Sequence, residues 1–252
     1  VGISGDALVV KPRDEPETKA AIRGVEAVLL HGFCQISTQA IRKCVEHGVG
    51  VHWVSVSGHH TGSLVPTAGR VQRRVRQYRA LADEPTCLRL AKVLAAAKVE
   101  GQYKYLMRAS RGDGAARDGM RGSLGGIQPL MARIPDAPDR DAVRGLEGMA
   151  AAHYFAALRT ALGPQVPDEL RADGRTRRPP LDRFNALLSY GYGLLHTAVM
   201  RAVLASGLEP ALGFFHTPRS AAYPLVLDLM ELFRVTLWDM PLVGSLNRGQ
   251  WD

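Results

Sequence analysis

Gly48-Val49-Gly50-Val51-His52-Trp53-Val54-Ser55-Val56 and, after Pro66-Thr67-Ala68-Gly69, Arg70-Val71-Gln72-Arg73-Arg74-Val75-Arg76-Gln77-Tyr78-Arg79-Ala80-Leu81-Ala82 are the two runs whose contrast decides the fold. The first is short, rich in β-branched residues and bounded by glycine, which suits a strand. The second spaces apolar residues at helical intervals. Pro66, Thr67 and Gly69 disfavour regular structure between them, so a domain boundary is expected there, with a β domain over residues 1–68 and a helical domain over 69–252.

Towards the N-terminus, Ala7-Leu8-Val9-Val10 and Val25 to Phe33 read as further strands, separated by turn residues such as Ser4-Gly5-Asp6 and Gly58. One short helix interrupts them, with Ser37 as N-cap, Ile41 and Val45 four apart, and Gly48 as its stop. Towards the C-terminus, Cys87 to Met107, Asp141 to Leu162, Asp182 to Ser206 and Leu225 to Trp238 read as helices. Ser110 to Gly126, rich in Gly, Arg and Asp, and Leu162 to Pro180, rich in Pro, Gly and Arg, read as mobile surface loops. The class is α+β.

The chain has 252 residues, 46% apolar and 22% charged, which is the composition of a folded protein and not of a disordered one. No apolar run approaches the roughly 20 residues that cross a bilayer, and no secretory leader opens the chain, so a soluble, cytoplasmic protein is expected. Thirty-two Lys and Arg against 24 Asp and Glu give a net charge of +8, which favours a polyanionic partner, nucleic acid before a membrane surface. Cys34, Cys44 and Cys87 are odd in number and form no CxxC pair, which argues against a disulfide scaffold, zinc or an iron–sulfur cluster. Val1 lies inside an apparent strand, and truncation is expected at both ends.

Several residues invite chemistry. On the helix from Asp141, Val143, Glu147, Ala150, Tyr154 and Leu158 share a stripe, so Glu147 is a carboxylate facing a core. Such a group needs a cation, a metal or a donor set; a buried Arg or a helix N-terminus would also satisfy it. Asp228 and Glu231 lie three apart on an apolar helix, either as a metal ligand pair or as a solvated edge. His216, before Pro218, could add an imidazole to a Mg²⁺ or Mn²⁺ site, or be an ordinary histidine. Arg70, Arg73, Arg74, Arg76 and Arg79 lie on one helix, and Arg70, Arg73, Arg74 and Gln77 recur at a spacing that can present one face to DNA phosphates. Arg171, Arg175, Arg177 and Arg178 cluster in one loop, and His59-His60 is a second, weaker metal candidate.

Taken in chain order, these segments resemble the CRISPR-associated protein one family, whose members insert new spacers into a CRISPR array. Ile36-Ser37-Thr38-Gln39-Ala40-Ile41 with Gly48-Val49-Gly50-Val51 resembles its β-domain signature, and Arg73 to Leu81 its linker helix. Gly145-Leu146-Glu147-Gly148 with Tyr154-Phe155 resembles the segment carrying a metal-binding glutamate, and Asn185 to Tyr192 the central helix. Gly207-Leu208-Glu209-Pro210, Gly213-Phe214-Phe215-His216 and Leu227 to Arg234 complete the match. Two departures concern substrate contacts: Ala221-Ala222-Tyr223-Pro224 replaces a Gly-Arg and Ser approach, and Gly101 stands where Asn is common.

The resemblance implies an N-terminal β-sandwich-like domain that dimerises and a C-terminal all-helical catalytic domain. It implies that Glu147, His216 and Glu231 are catalytic ligands of Mg²⁺ or Mn²⁺, with Asp228 a fourth acid at the site and Tyr192 near it. Arg70, Arg73, Arg74, Arg76, Arg79, Arg177, Arg178 and Tyr192 are expected to bind double-stranded DNA, both prespacer and CRISPR repeat. The implied partners are a second copy of the chain, CRISPR-associated protein two and CRISPR-associated protein four, the last fused before the β domain in some members. A chain opening at Val1 fits the tail of such a fusion. The implied reaction is metal-dependent transesterification by a DNA 3′-hydroxyl at a repeat boundary. A metal-dependent nuclease of branched DNA is the alternative, and a catalytically inert DNA scaffold is the third reading.

Overall fold

In a computed structural model the described residues are 1–13, 15–56, 60–65, 71–111, 114–171, 174–176, 179–216 and 223–251, with His60, Ala115 and Ala116 described by backbone alone. The chain divides into two compact units, Val1–Gln77 with His196–Glu209, and Tyr78–Leu195 with Pro210–Asp252. The boundary expected between residues 68 and 69 lies outside the described residues.

The first unit holds two small sheets. β1 (Gly2–Ser4), β2 (Ala7–Val10) and β3 (Thr18–Ala21) form an antiparallel meander, turned at Gly5 with φ +59°. In the other sheet β4 (Ala27–His31) runs parallel to β5 (Gly50–Val54), which pairs antiparallel with β6 (His60–Leu64). A parallel pair needs a crossover, and α1 (Thr38–Glu46) supplies it. Ser37 caps that helix by accepting the Ala40 amide at 3.2 Å, and Gly48 at φ +73° ends it. Leu8, Ile22, Leu30, Ala40, Cys44, Val49 and Val51 form one core from both sheets and the helix.

α2 (Val71–Leu81) leads into the helical part, which contains α3 (Glu84–Ala109), α4 (Gly114–Arg133), α5 (Arg140–Thr160), α6 (Arg183–Ala205), α7 (Pro224–Met230) and α8 (Met240–Asn247). Asp83 and Asp139 cap α3 and α5, accepting the amides of Thr86 and Ala142 at 2.9 and 2.8 Å. Ala91, Leu94 and Val99 of α3, Met120 and Ile127 of α4, and Val143, Leu146 and Ala150 of α5 are all buried. Among the described residues no helix is long and apolar enough to cross a membrane.

Three expectations are corrected. Most of Ser110 to Gly126 is helical, not a loop: α4 buries Met120, Ile127 and Leu130, and two of its glycines, Gly119 and Gly126, admit α5. A Cβ on Gly126 would lie 2.5 Å from the His153 ring, and one on Gly119 3.3 Å from Thr160. The segment after Leu162 is tied down by Arg171, whose guanidinium donates to the carbonyls of Leu162, Gly163 and Val166, with Val166 and Leu170 buried beneath it. The helix expected from Leu225 to Trp238 breaks after α7 and resumes as a π-helical turn, Val235–Asp239. The wider turn leaves Asp239 buried.

Candidate metal centre

Three elements of the helical unit converge on Lys98. The Lys98 ammonium on α3 bonds Oε1 of Glu147 on α5 and lies 2.6 Å from Oε2 of Glu231, just beyond α7. Arg234 donates to the other Glu231 oxygen at 3.0 Å. The side chains of Lys98, Glu147 and Glu231 are 10%, 16% and 3% exposed, so this is a nearly dry cluster. Two carboxylates this close repel strongly unless a cation lies between them. Burial pushes the Glu231 carboxyl up, but Lys98, Arg234 and, more weakly, His216 outweigh it and hold its pKa below the usual carboxylate value.

The second cluster is built round Asp228. Its Oδ2 accepts the amides of Phe214 and Phe215 at 2.7 and 3.0 Å, while Oδ1 accepts the His216 amide at 2.8 Å and lies 2.7 Å from His216 Nδ1. The loop folds round one buried carboxylate. Gly213 is required there, because a Cβ would lie 2.6 Å from Pro224 and 2.7 Å from Asp228 Oδ2. With Nδ1 committed to Asp228, Nε2 is the ring nitrogen left to meet a ligand. Arg140 and Arg144 of α5 donate to the Phe214 and Phe215 carbonyls at 3.0 and 2.7 Å. The helix that carries Glu147 therefore also holds the loop that carries His216.

A third group borders the first. Asp239 accepts the hydroxyls of Tyr154 and Tyr192, each at 2.8 Å. Burial pushes the Asp239 carboxyl up to about 6 despite the two phenols and Arg234, and burial beside Asp239 raises both phenols well above their ordinary value. The Arg234 guanidinium stacks 4.6 Å from the Tyr192 ring. Lys98, Gln102, Tyr192, Glu231, Arg234 and Asp239 line a cavity of about 20 Å³, room for a single water.

The structure thus pairs Glu147 with Glu231, and His216 with Asp228. Among the described residues no three His, Cys, Asp or Glu side chains converge as they would round an ion. The place of a cation between the two glutamates is taken by Lys98. The donors fit a hard divalent ion in kind: two carboxylates that already share one positive charge, and an imidazole oriented through its other nitrogen by a carboxylate. Lys98 and Asp239 were not legible as site residues in the sequence. A single lysine on the Ala-rich run Leu94 to Val99 looks like a solvated one.

The expected arginine face is partly spent on the protein itself. Arg73 donates to the Ser206 carbonyl and Arg76 to that of Gln72, while Arg74 is half-buried and Arg79 exposed. Gln77, expected to face phosphates, is instead buried, its amide bonding both backbone groups of Glu209 at 3.0 and 2.8 Å. Arg175 likewise turns inward to Asn185 at 2.9 Å. Arg70, Arg177, Arg178 and His59 lie outside the described residues.

Comparison with known proteins follows the same architecture. A Thermotoga maritima CAS1 protein, TM1797, superposes with a TM-score of 0.78 at 18% identity, over 99% of this chain and 76% of that one. A chain of a Cas6-RT-Cas1–Cas2 complex superposes with a TM-score of 0.80 at 25% identity, over 99% of this chain and 27% of that one. In sequence, a CRISPR-associated exonuclease Cas4/endonuclease Cas1 fusion of Myxococcus xanthus is 47% identical over the whole of this chain, which spans 45% of that protein. The chain thus covers less than half the length of this relative. The family model for CRISPR associated protein Cas1 matches residues 1–252. The chain belongs to the Cas1 family.

Proposed function

We propose that this chain is a CRISPR-adaptation integrase, joining the 3′-hydroxyl of a prespacer DNA to a phosphodiester at a repeat boundary. In this transesterification a new bond forms between the attacking 3′-oxygen and phosphorus, and the bond to the repeat strand's 3′-oxygen breaks. The attacking hydroxyl loses a proton and the leaving oxygen gains one, so no nucleotide is hydrolysed. The observation that carries the reading is the sharing of one cation by Glu147 and Glu231, in a unit where Asp228 aims His216. In it Glu147, His216 and Glu231 hold Mg²⁺ or Mn²⁺, and Asp228 positions the imidazole. When bound, the ion supplies Lewis-acid stabilisation of the phosphoryl oxygens and acidifies the attacking hydroxyl.

The chain's own residues do the rest. Arg140 and Arg144 keep the His216 loop on α5, and Tyr192 and Arg234 form one wall of the site. Exposed arginines of α2, Arg79 among them, offer sequence-independent contacts to phosphates. Double-stranded DNA, a second copy of the chain through the β domain, and Cas2 are the partners of this reading, and the similar chain within a Cas1–Cas2 complex supports the last. Cas4 is a further partner, in keeping with the Myxococcus fusion.

The relative's designation as an endonuclease favours a second reading, hydrolysis of branched DNA with water in place of the hydroxyl. A labelled prespacer, a repeat-bearing plasmid, Cas2 and Mn²⁺ separate the two: covalent joining supports integration, and shortened products alone support hydrolysis. Glu147→Ala and His216→Ala are each expected to lower joining at least about 1,000-fold while DNA binding, read by fluorescence anisotropy, survives. Unchanged joining in Glu147→Ala would show that Glu147 takes no part in the chemistry, and neither joining nor cleavage in the wild type would indicate an inert scaffold.

A further inference from the structure

The ammonium of Lys98 sits between the carboxylates of Glu147 and Glu231. We propose that Lys98 is a tethered counter-cation that holds these two carboxylates together in the metal-free protein and is displaced when the ion binds. The proposal rests on the metal reading above and deepens it.

Charge and geometry carry it. Glu147 and Glu231 face the two cations Lys98 and Arg234, and Asp239 adds a third acid on the same cavity wall. A divalent ion entering between the carboxylates meets the ammonium at contact distance, and two cations cannot share that position. Lys98 has somewhere to go. One turn along α3, Gln102 lines the same cavity with its carboxamide oxygen buried and, among the described residues, without a hydrogen-bond partner. A lysine stem is long and flexible enough to swing its head from the carboxylates towards that oxygen.

The test is Mn²⁺ affinity of the DNA-free chain, measured by electron paramagnetic resonance, together with its Tm with and without Mn²⁺. Lys98→Met is expected to bind Mn²⁺ about tenfold or more tightly than the wild type, because no charge has to leave. Its metal-free Tm is expected to fall by several degrees, as two bare carboxylates then face each other, and Mn²⁺ should restore it. Lys98→Gln keeps an N–H donor without the charge and is expected to show the same tightening, should the methionine variant not fold. Mn²⁺ affinity equal to or weaker than wild type in a folded Lys98 variant, with both still tighter than Glu147→Gln, overturns the counter-cation while leaving the metal reading intact. If wild type and Glu147→Gln bind Mn²⁺ alike, the metal reading fails and the counter-cation with it.

Discussion

Asp228 receives more bonds than any other side chain at the site: three backbone amides and an imidazole nitrogen, on a carboxylate buried to its last atom. Asp228→Asn keeps the shape but turns one acceptor into a donor facing amides. It is expected to cost about 1–3 kcal/mol in urea unfolding and to weaken Mn²⁺ binding about 10- to 100-fold, because the His216 ring loses its orienting partner. Unchanged Mn²⁺ affinity would remove the positioning role. Spacing alone suggested that Asp228 and Glu231, three apart, act as a pair; three-residue spacing sets which face two side chains share but not which partners they choose, and one turns to the 213–216 loop while the other meets Lys98. Asp239 makes the opposite electrostatic statement. Its carboxyl is raised to about 6 by burial, so the folded state holds a proton that the unfolded chain releases near 4. That contribution is fully present below about pH 4 and is lost as pH rises through about 6. Asp239→Asn removes the titration, so wild-type stability relative to the variant should fall between pH 4 and 7 by as much as about 3 kcal/mol; a flat difference would contradict the burial argument.

At the scale of elements, periodicity carried what it could. α5 was legible, and with it the anomaly of Glu147, because a carboxylate on an apolar stripe is visible without knowing its partner. The partner was not, since Lys98 sits 49 positions away and only the packing of α3 on α5 brings them together. α4 is hidden for a different reason: its glycines look like turn residues, whereas in the fold Gly119 and Gly126 face Thr160 and His153 of α5. Gly126→Ala tests this directly. Its methyl would lie 2.5 Å from the His153 ring, so a loss of about 1–3 kcal/mol is expected in urea unfolding, although alanine has the higher helix propensity. A stabilised variant would mean that α4 and α5 are not in close contact at that point. The strand read at Val1 is β1, whereas the edge strand β3 escaped, being four residues long and wholly exposed.

At the scale of the molecule, the two units have separate legibility. The β unit announces itself by composition and by the Ser37 and Gly48 punctuation of α1; the helical unit by its long apolar periods. What neither shows is that Lys98 joins Glu147 to Glu231, or that His216 meets Asp228, since both groupings are properties of tertiary packing. The proposed function requires Glu147, Glu231 and His216 to accept one ion. Anomalous diffraction from crystals of the chain soaked in Mn²⁺ measures this most directly: one strong peak is expected within about 2.0–2.3 Å of oxygens of Glu147 and Glu231 and of His216 Nε2, with the Lys98 ammonium moved away. A map with no peak there, and with Lys98 still bridging the two carboxylates at saturating Mn²⁺, would contradict it.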